Sequence, residues 1–289
     1  MRLYTFEVNG EKRIGAESHG TLIDLASAYE ALQANCAPDS DFLRAFPRTM
    51  LAFIRAGVPA LNAAAEAVAH VRKRRATPVG LEVSYPLDAV KFCAPIDRPG
   101  KILCVGSGAN RTIDYVKFSS AVIGPGESIF QPNSADGLRF NVRLAVVLGK
   151  ILRNATESDA QSSIFGYTLL NDVFLGGAAP VEQMLAHNFD TFCPIGACIV
   201  TADELNDTTK FIAKSIRNGE SLEIVERCVG EFRLPEFLSS LSHAMTLAPG
   251  DIVALPFSQT GLTVRAGDRL VVEVDPLGRL ENDVRKAGV

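Results

Sequence analysis

Few side chains in this sequence could do chemistry, and they are scattered. Of its four histidines, none lies between His70 and His187, so a histidine acid or base has few places to stand. His187 reads two ways: an ordinary half-buried imidazole donating to a backbone carbonyl, or an acid, base or anion ligand in a pocket. The six cysteines (Cys36, Cys93, Cys104, Cys193, Cys198, Cys228) form no CxxC pair, and most sit among apolar neighbours. They read as small buried hydrophobes rather than zinc ligands or a disulfide framework. No Gly-x-Ser-x-Gly elbow marks a serine nucleophile. Ser107-Gly108-Ala109 lacks the Lys-Ser/Thr ending of a phosphate loop, and Gly176-Gly177 fits a turn better than a dinucleotide fingerprint. The run Arg72-Lys73-Arg74-Arg75 fits a solvated helix C-terminus complementing the macrodipole better than a nucleic-acid contact.

Composition sets the class of protein that must position these groups. The chain has 289 residues, 47% hydrophobic and 21% charged, a globular balance with room for one large domain or a large and a small one. A net charge of −4 provides no field to recruit nucleic acid or acidic membranes. No apolar run reaches the ~18 residues of a spanning helix. Glu7 and Glu11 stand where a signal peptide would have its apolar core, so a non-secreted, cytoplasmic protein is expected. Trp is absent, which removes one common stacking platform for sugars and bases.

Residues 1–94 read as a small α+β unit. Leu3–Val8 is a strand ending in the hairpin pair Asn9-Gly10, with Arg13–Ala16 returning and His19-Gly20 turning again. Leu22–Leu32, Asp41–Ala56 and Val58–Val71 read as helices. A boundary falls in Ala94-Pro95-Ile96-Asp97-Arg98-Pro99-Gly100, which two prolines and a glycine keep from regular structure. Residues 95–289 then run through β-branched segments at 102–105, 144–148, 165–170, 198–200, 252–255 and 270–274, most bounded by Gly, Asn or Asp. Helices are expected at Ser158–Ile164, after a capped start at Thr156, and at Arg233–His243.

The larger part resembles a known family. The matching stretches include Lys101–Gly106, Gly124–Ile129, Leu144–Lys150, Phe165–Val173, Asn188–Gly196, Asn218–Glu220 and Leu247–Val253, all in order. From about residue 100 to 284 the sequence is similar to the C-terminal domain of the fumarylacetoacetate hydrolase family. The resemblance implies an α+β, predominantly β fold, a mixed β-roll or sandwich, with members commonly dimerising. It also implies a divalent cation, usually Mg²⁺, held by a Glu-x-Glu pair and a later Asp. That ion would clamp a 2-oxo acid or β-diketone and stabilise its enolate. A lid histidine would activate water, while a Lys and a Thr-Gly-Thr-Pro turn position the substrate.

This chain departs from that constellation. Where Glu-x-Glu should stand it has Asn141-Val142-Arg143, while Asp172 keeps its Asn-Asp setting 29 residues after Arg143. One carboxylate beside a guanidinium is a poor Mg²⁺ site, so no metal is expected. Arg143 is expected to face Asp172, either as a structural salt bridge filling the hole or as a fixed cation taking the metal's place. The segment between Gly106 and Lys117 is too short for the usual lid and contains no histidine. His187 takes the position of a family Lys, Lys117 aligns with another and reads as solvated, and Leu255-Pro256-Phe257-Ser258 replaces the Thr-containing turn.

Two functions are compatible with this pattern. One is a metal-independent enzyme performing C–C hydrolysis, lysis or isomerisation on a small enolisable 2-oxo acid or β-dicarbonyl compound. Arg143, Asp172 and His187 would be its catalytic groups, Asn141, Lys117, Phe189 and Asp190 would face the substrate, and no cofactor would be needed. The other is a non-catalytic relative that binds a ligand or partner subunit through the old cleft. A small carboxylate or β-dicarbonyl ligand and a second copy in a homodimer are the expected partners, with neither nucleic acid nor membrane.

Overall fold

Turns with two positive φ angles start the fold. Asn9 and Gly10 adopt φ 52° and 79°, and His19 and Gly20 adopt 51° and 75°. Such two-residue turns match the twist of antiparallel strands, so β1 (Arg2–Val8), β2 (Glu11–Ser18) and β3 (Thr21–Asp24) form a meander. The computed structural model describes residues 1–34, 45–73, 82–106, 112–177, 182–206, 208–257 and 261–288. The helix expected from Leu22 begins only at α1 (Leu25–Gln33), because the buried Asp24 carboxylate accepts from Ala26 N and Ser27 N and leaves Leu22 and Ile23 to pair with β2. Helix α2 (Met50–Ala56), capped by Thr49, forms the end of the expected Asp41–Ala56 helix, and residues 41–44 lie outside the described ones. Helix α3 (Val58–Lys73) follows, with Arg72 and Lys73 in its last turn; Arg74 and Arg75 lie outside the described residues.

The sheet continues from this N-terminal unit into the rest of the chain. After β4 (Ser84–Pro86) and β5 (Lys91–Cys93) come β6 (Ile102–Val105), β7 (Ile113–Lys117), β8 (Val122–Ile123), β9 (Ile129–Gln131) and β10 (Leu138–Leu148). Helix α4 (Glu157–Ser163) leads to β11 (Ile164–Phe174), and α5 (Gln183–Ala186) to β12 (Cys193–Pro194) and β13 (Ile199–Thr201). The hairpin β14 (Lys210–Arg217) and β15 (Glu220–Cys228) precedes α6 (Leu234–Ala244). Strands β16 (Ile252–Pro256), β17 (Leu262–Val264), β18 (Arg269–Asp275) and β19 (Gly278–Lys286) complete the chain. A 12-stranded sheet runs β4-β3-β2-β1-β13-β11-β10-β16-β6-β7, with β5 beside β1 and β17 beside β10. A 5-stranded sheet, β15-β14-β18-β19-β9, makes the second layer. The architecture is α+β and predominantly β, as expected.

Residues 1–94 and the remainder share that sheet through the pairing of Leu3 with Ile199. They share core as well: Leu3, Ile14 and Phe53 pack in one cluster with Ile102, Ala145 and Ile252. Every residue from Val142 to Leu148 in β10 is buried, with Val142, Leu144, Val146 and Leu148 in one core and Ala145 and Val147 in the other. Asn141 and Arg143 continue the second row, and Asp172 continues the same face of β11 beyond Leu170. Two apolar rows thus end in three polar side chains on one face.

Cys93, Cys104, Cys193 and Cys198 are buried and unpaired, and burial pushes the Cys193 thiol up to about 12, so it stays a neutral apolar filler. Among the described residues no single helix is long and apolar enough to cross a membrane.

The start of β16 is tied to that of β6 by Asp251. Its buried carboxylate accepts from Lys101 N at 3.0 Å, Ala248 N at 2.8 Å and Lys101 Nζ at 2.9 Å. Removing it leaves two backbone donors unsatisfied. Asp251→Ala is therefore expected to lower the unfolding free energy by about 2 kcal/mol, measured as a shifted urea midpoint at unchanged slope.

Candidate active site

Antiparallel pairing of β10 with β11 places Asn141 directly opposite Asp172 and Arg143 opposite Leu170, so Arg143 reaches Asp172 on the diagonal. Its Nε donates to Asp172 Oδ2 at 2.7 Å. Strand β7 ends the sheet path on the far side of β6, yet two of its side chains also reach Asp172, which requires the sheet to curl over β11. The Tyr115 hydroxyl donates to Oδ2, and Lys117 Nζ lies 3.0 Å from Oδ1. His187, just after α5, completes the ring with Nδ1 at 3.3 Å from Oδ1. Burial by itself would push the Asp172 carboxyl up. The Lys117 ammonium, the His187 hydrogen bond and the Arg143 guanidinium outweigh it and hold the group well below the ordinary carboxylate range.

Lys117 is where expectation and structure part most clearly: it is fully buried instead of solvated. Besides Asp172, its ammonium donates to the carbonyls of Val173 at 2.9 Å, His187 at 2.7 Å and Phe192 at 2.9 Å. An oxygen cage of that kind replaces the water lost on burial, and it leaves no donor for a substrate. Lys117 therefore acts through Asp172 and does not face the cleft.

The expected meeting of Arg143 and Asp172 is present, and it is almost wholly internal. Arg143 Nη1 donates to Val105 O at 2.8 Å and Ala254 O at 3.4 Å, and Nη2 donates to the Tyr115 hydroxyl at 2.7 Å. The second Nη2 N–H has no acceptor among the described residues. Burial alone would lower the guanidinium's affinity for its proton, but Asp172 outweighs it and raises it. The Tyr115 phenol is pushed up, by burial first and then by Asp172, and so serves as a donor.

Tyr115, Arg143 and His187 line one cavity of about 440 Å³, whose wall also includes Asp114, Asn141, Phe174 and Gln183, while Asp172 and Lys117 are buried and outside its lining. The His187 ring is stacked between Tyr115 at 3.8 Å and Phe174 at 4.7 Å, which fixes its plane. Because Asp172 can only accept, Nδ1 carries the proton in the neutral ring. Nε2 is then the basic nitrogen, and it has no protein partner among the described residues. Asn141 Oδ1 accepts from Gly261 N at 3.0 Å, which leaves its NH₂ as the free end of the amide. Asn171 lies on the opposite face of β11, buried in the core.

Phe189 and Asp190, expected on the substrate side, are exposed and outside the cavity lining. The reason is local: Thr191 takes a left-handed φ of 71°, sending Phe192 into the core while Phe189 stacks on its outer side at 5.3 Å. Asn188 is a frame residue, bonded to Phe118 N, Val116 O and Met184 O. Sequence reasoning missed Tyr115, Asp114, Phe174 and Gln183; a tyrosine two residues before Lys117 on a strand was the one available signal. The short segment after Gly106, residues 107–111, and Ser258–Thr260 lie outside the described residues.

The donors do not fit a divalent cation. The Asn141 carbonyl oxygen is occupied by Gly261, both Asp172 oxygens are taken by cations or O–H and N–H donors, and a guanidinium stands where a ligand would be. A second cation there would face two fixed positive charges. What the arrangement can supply instead is a fixed cation, an amide donor and an imidazole nitrogen oriented by a carboxylate.

Comparison with known proteins places the sequence and the fold. The sequence model of the fumarylacetoacetate hydrolase C-terminal domain matches residues 106–285. A Bos taurus protein, "Oxaloacetate tautomerase FAHD2A, mitochondrial", is 30% identical over 261 residues, covering 82% of this chain and 80% of its own length. A Dictyostelium discoideum protein, "Fumarylacetoacetate hydrolase domain-containing protein 2 homolog", is 30% identical and covers 99% of this chain and 97% of itself. Among solved structures, maleylpyruvate hydrolase from Sphingobium sp. SYK-6, in complex with manganese(II) and pyruvate, superposes with TM-score 0.75 at 25% identity over 100% of both chains. The match over most of the chain and the strand register around Asp172 lead to one conclusion: this chain belongs to the fumarylacetoacetate hydrolase family.

Proposed function

We propose that the cavity binds a small enolisable 2-oxo acid or β-dicarbonyl compound and catalyses its enolisation, or a C–C cleavage passing through the same enolate, without a divalent metal. The observation that carries this reading is that His187 and Arg143, both held by the buried Asp172, line one cavity. The names of the bovine relative, an oxaloacetate tautomerase, and of the bacterial neighbour, a maleylpyruvate hydrolase, support a 2-oxo acid. The substrate carboxylate or enolate oxygen would meet the remaining Nη2 N–H of Arg143 and the Asn141 NH₂. His187 Nε2 would take the proton from the carbon next to the oxo group. Asp172 stabilises the imidazolium so formed, and return of the proton to oxygen completes the tautomerisation.

The homodimer belongs to the same proposal. Val116, Phe118, Phe130, Met184, Leu185 and Phe189 are all substantially exposed. Asn188 and Thr191 tie their segments together beside the site, so they form one apolar surface of the kind that a second copy covers.

Turnover of a panel of acylpyruvates and other 2-oxo acids, followed by loss of enol absorbance, tests the chemistry. Activity unchanged by EDTA or added Mg²⁺ is expected; activity that requires the metal, or silence across the panel, overturns the reading. His187→Gln is expected to lower kcat by about 10²-fold or more with the fold intact by circular dichroism. Phe118→Asp should shift the mass measured by light scattering from dimer to monomer. For Asp172, whose folded-state acidity is increased, the stabilisation is present above the unfolded value of about 4 and is lost as pH falls further. The stability difference between wild type and Asp172→Asn should accordingly be full at neutral pH and shrink below about pH 4 in urea titrations.

A further inference from the structure

Asp114 brings a second carboxylate to the cavity wall, exposed where Asp172 is buried. Across the β6–β7 pairing Cys104 faces Tyr115 and Val105 faces Ile113, so Asp114 is an extra residue with no partner. A bulge breaks the alternation of a strand, and here it lets neighbours Asp114 and Tyr115 line the same cavity. The adjoining backbone leaves room for the carboxylate: a Cβ on Gly106 would lie 2.6 Å from Asp114 Cγ. Gly106 follows Val105, whose carbonyl Arg143 holds at 2.8 Å, so the carboxylate stands one residue along the chain from the backbone that the guanidinium clamps. Its one described hydrogen bond is from Thr112 Oγ1 at 3.4 Å, and no cation pairs with it among the described residues. Deeper in, Lys117 and Arg143 against Asp172 leave the buried cluster with a net positive charge. The cavity is thus positive at its inner end and negative at its β6–β7 wall.

We propose that Asp114 is a specificity-determining residue that makes this site select short 2-oxo monocarboxylates over dicarboxylates of the same length. This rests on the reading that the cavity takes a 2-oxo acid. One ligand carboxylate is attracted by the inner cluster. A second at the far end of a short molecule meets the Asp114 carboxylate at the exposed side of the cavity, where like charges repel. A tail that is neutral or carries a hydroxyl is accepted, and the hydroxyl can donate to Asp114. Among the described residues Arg139 is a cation that could oppose this selection, since it lies two residues before Asn141 on the same face of β10. Its side chain packs against Gly176 and Gly261 and is not part of the cavity lining, so a ligand confined to the cavity is read by Asp114.

The test is calorimetric binding of 2-oxopentanoate and 2-oxoglutarate, which share the 2-oxo acid head and the chain length and differ in a terminal methyl or carboxylate. The wild-type protein is expected to bind 2-oxopentanoate more tightly. In Asp114→Asn, the ratio of the two Kd values should move about tenfold toward 2-oxoglutarate. Equal or tighter wild-type binding of 2-oxoglutarate, or a ratio unmoved by Asp114→Asn, overturns the proposal. Arg139→Gln weakening 2-oxoglutarate alone would also overturn it, by placing the distal carboxylate on Arg139. Failure of both ligands to bind the wild-type protein would instead remove the 2-oxo acid reading itself, and the selectivity with it.

Discussion

A carboxylate removed from water keeps its charge only if other groups replace the hydration it has lost, and around Asp172 the fold supplies them from three directions. Arg143 comes from β10, Tyr115 and Lys117 from β7, and His187 from the segment after α5. Losing one cation would leave an uncompensated charge in a place where that costs several kcal/mol. The curl that brings β7 over β11 and the closure of the α5 loop are therefore coupled to one ionised side chain. The carbonyls of Val173, His187 and Phe192 extend the same coupling, because each gives its lone pair to Lys117.

Built-in cations in place of a bound ion would change what the site can do. A hard divalent ion brings charge and open coordination positions and is held by carboxylates. A guanidinium brings charge in fixed directions, and Arg143 has given most of those directions to Asp172, Tyr115 and two backbone carbonyls. On the proposed reading, charge stabilisation at the cavity is correspondingly limited and the proton chemistry would fall to the imidazole. Stacking between Tyr115 and Phe174 fixes the His187 plane, and Asp172 fixes its tautomer. Arg143 is thus both the structural neutraliser of Asp172 and the cation at the cavity wall.

The frame around this site is held by residues that do not themselves line the cavity. Asn188 bonds the backbone on either side of Lys117 and the carbonyl of Met184, which keeps β7 and α5 in one arrangement. The meander at residues 2–24 extends the same sheet through β1 and β13. It packs its apolar side with Ala145 and Val147 of β10, the row that Arg143 continues.

What the sequence by itself determined is what depends on neighbours along the chain. The Asn9-Gly10 turn, the start of α4 at Thr156 and the buried run Leu144–Leu148 each follow from local geometry or a period of two. Resemblance supplied the register that joins Arg143 to Asp172, since pairing of two long strands carries one contact along with the next. Only tertiary structure decided the fate of Lys117, because its carbonyl partners come from residues 56 to 75 positions away and nothing beside it in the chain announces them. The same holds for Leu22 and Ile23, which read as helix until β2 offers an edge, and for Asp114, which an unpaired residue in a ladder turns toward the cavity. Phe189 and Asp190 matched a motif whose side chains the left-handed turn at Thr191 points away from the cavity. Local patterns fix which elements form; which polar group is enclosed, and by what, is settled by long-range packing that must replace each buried group's lost water.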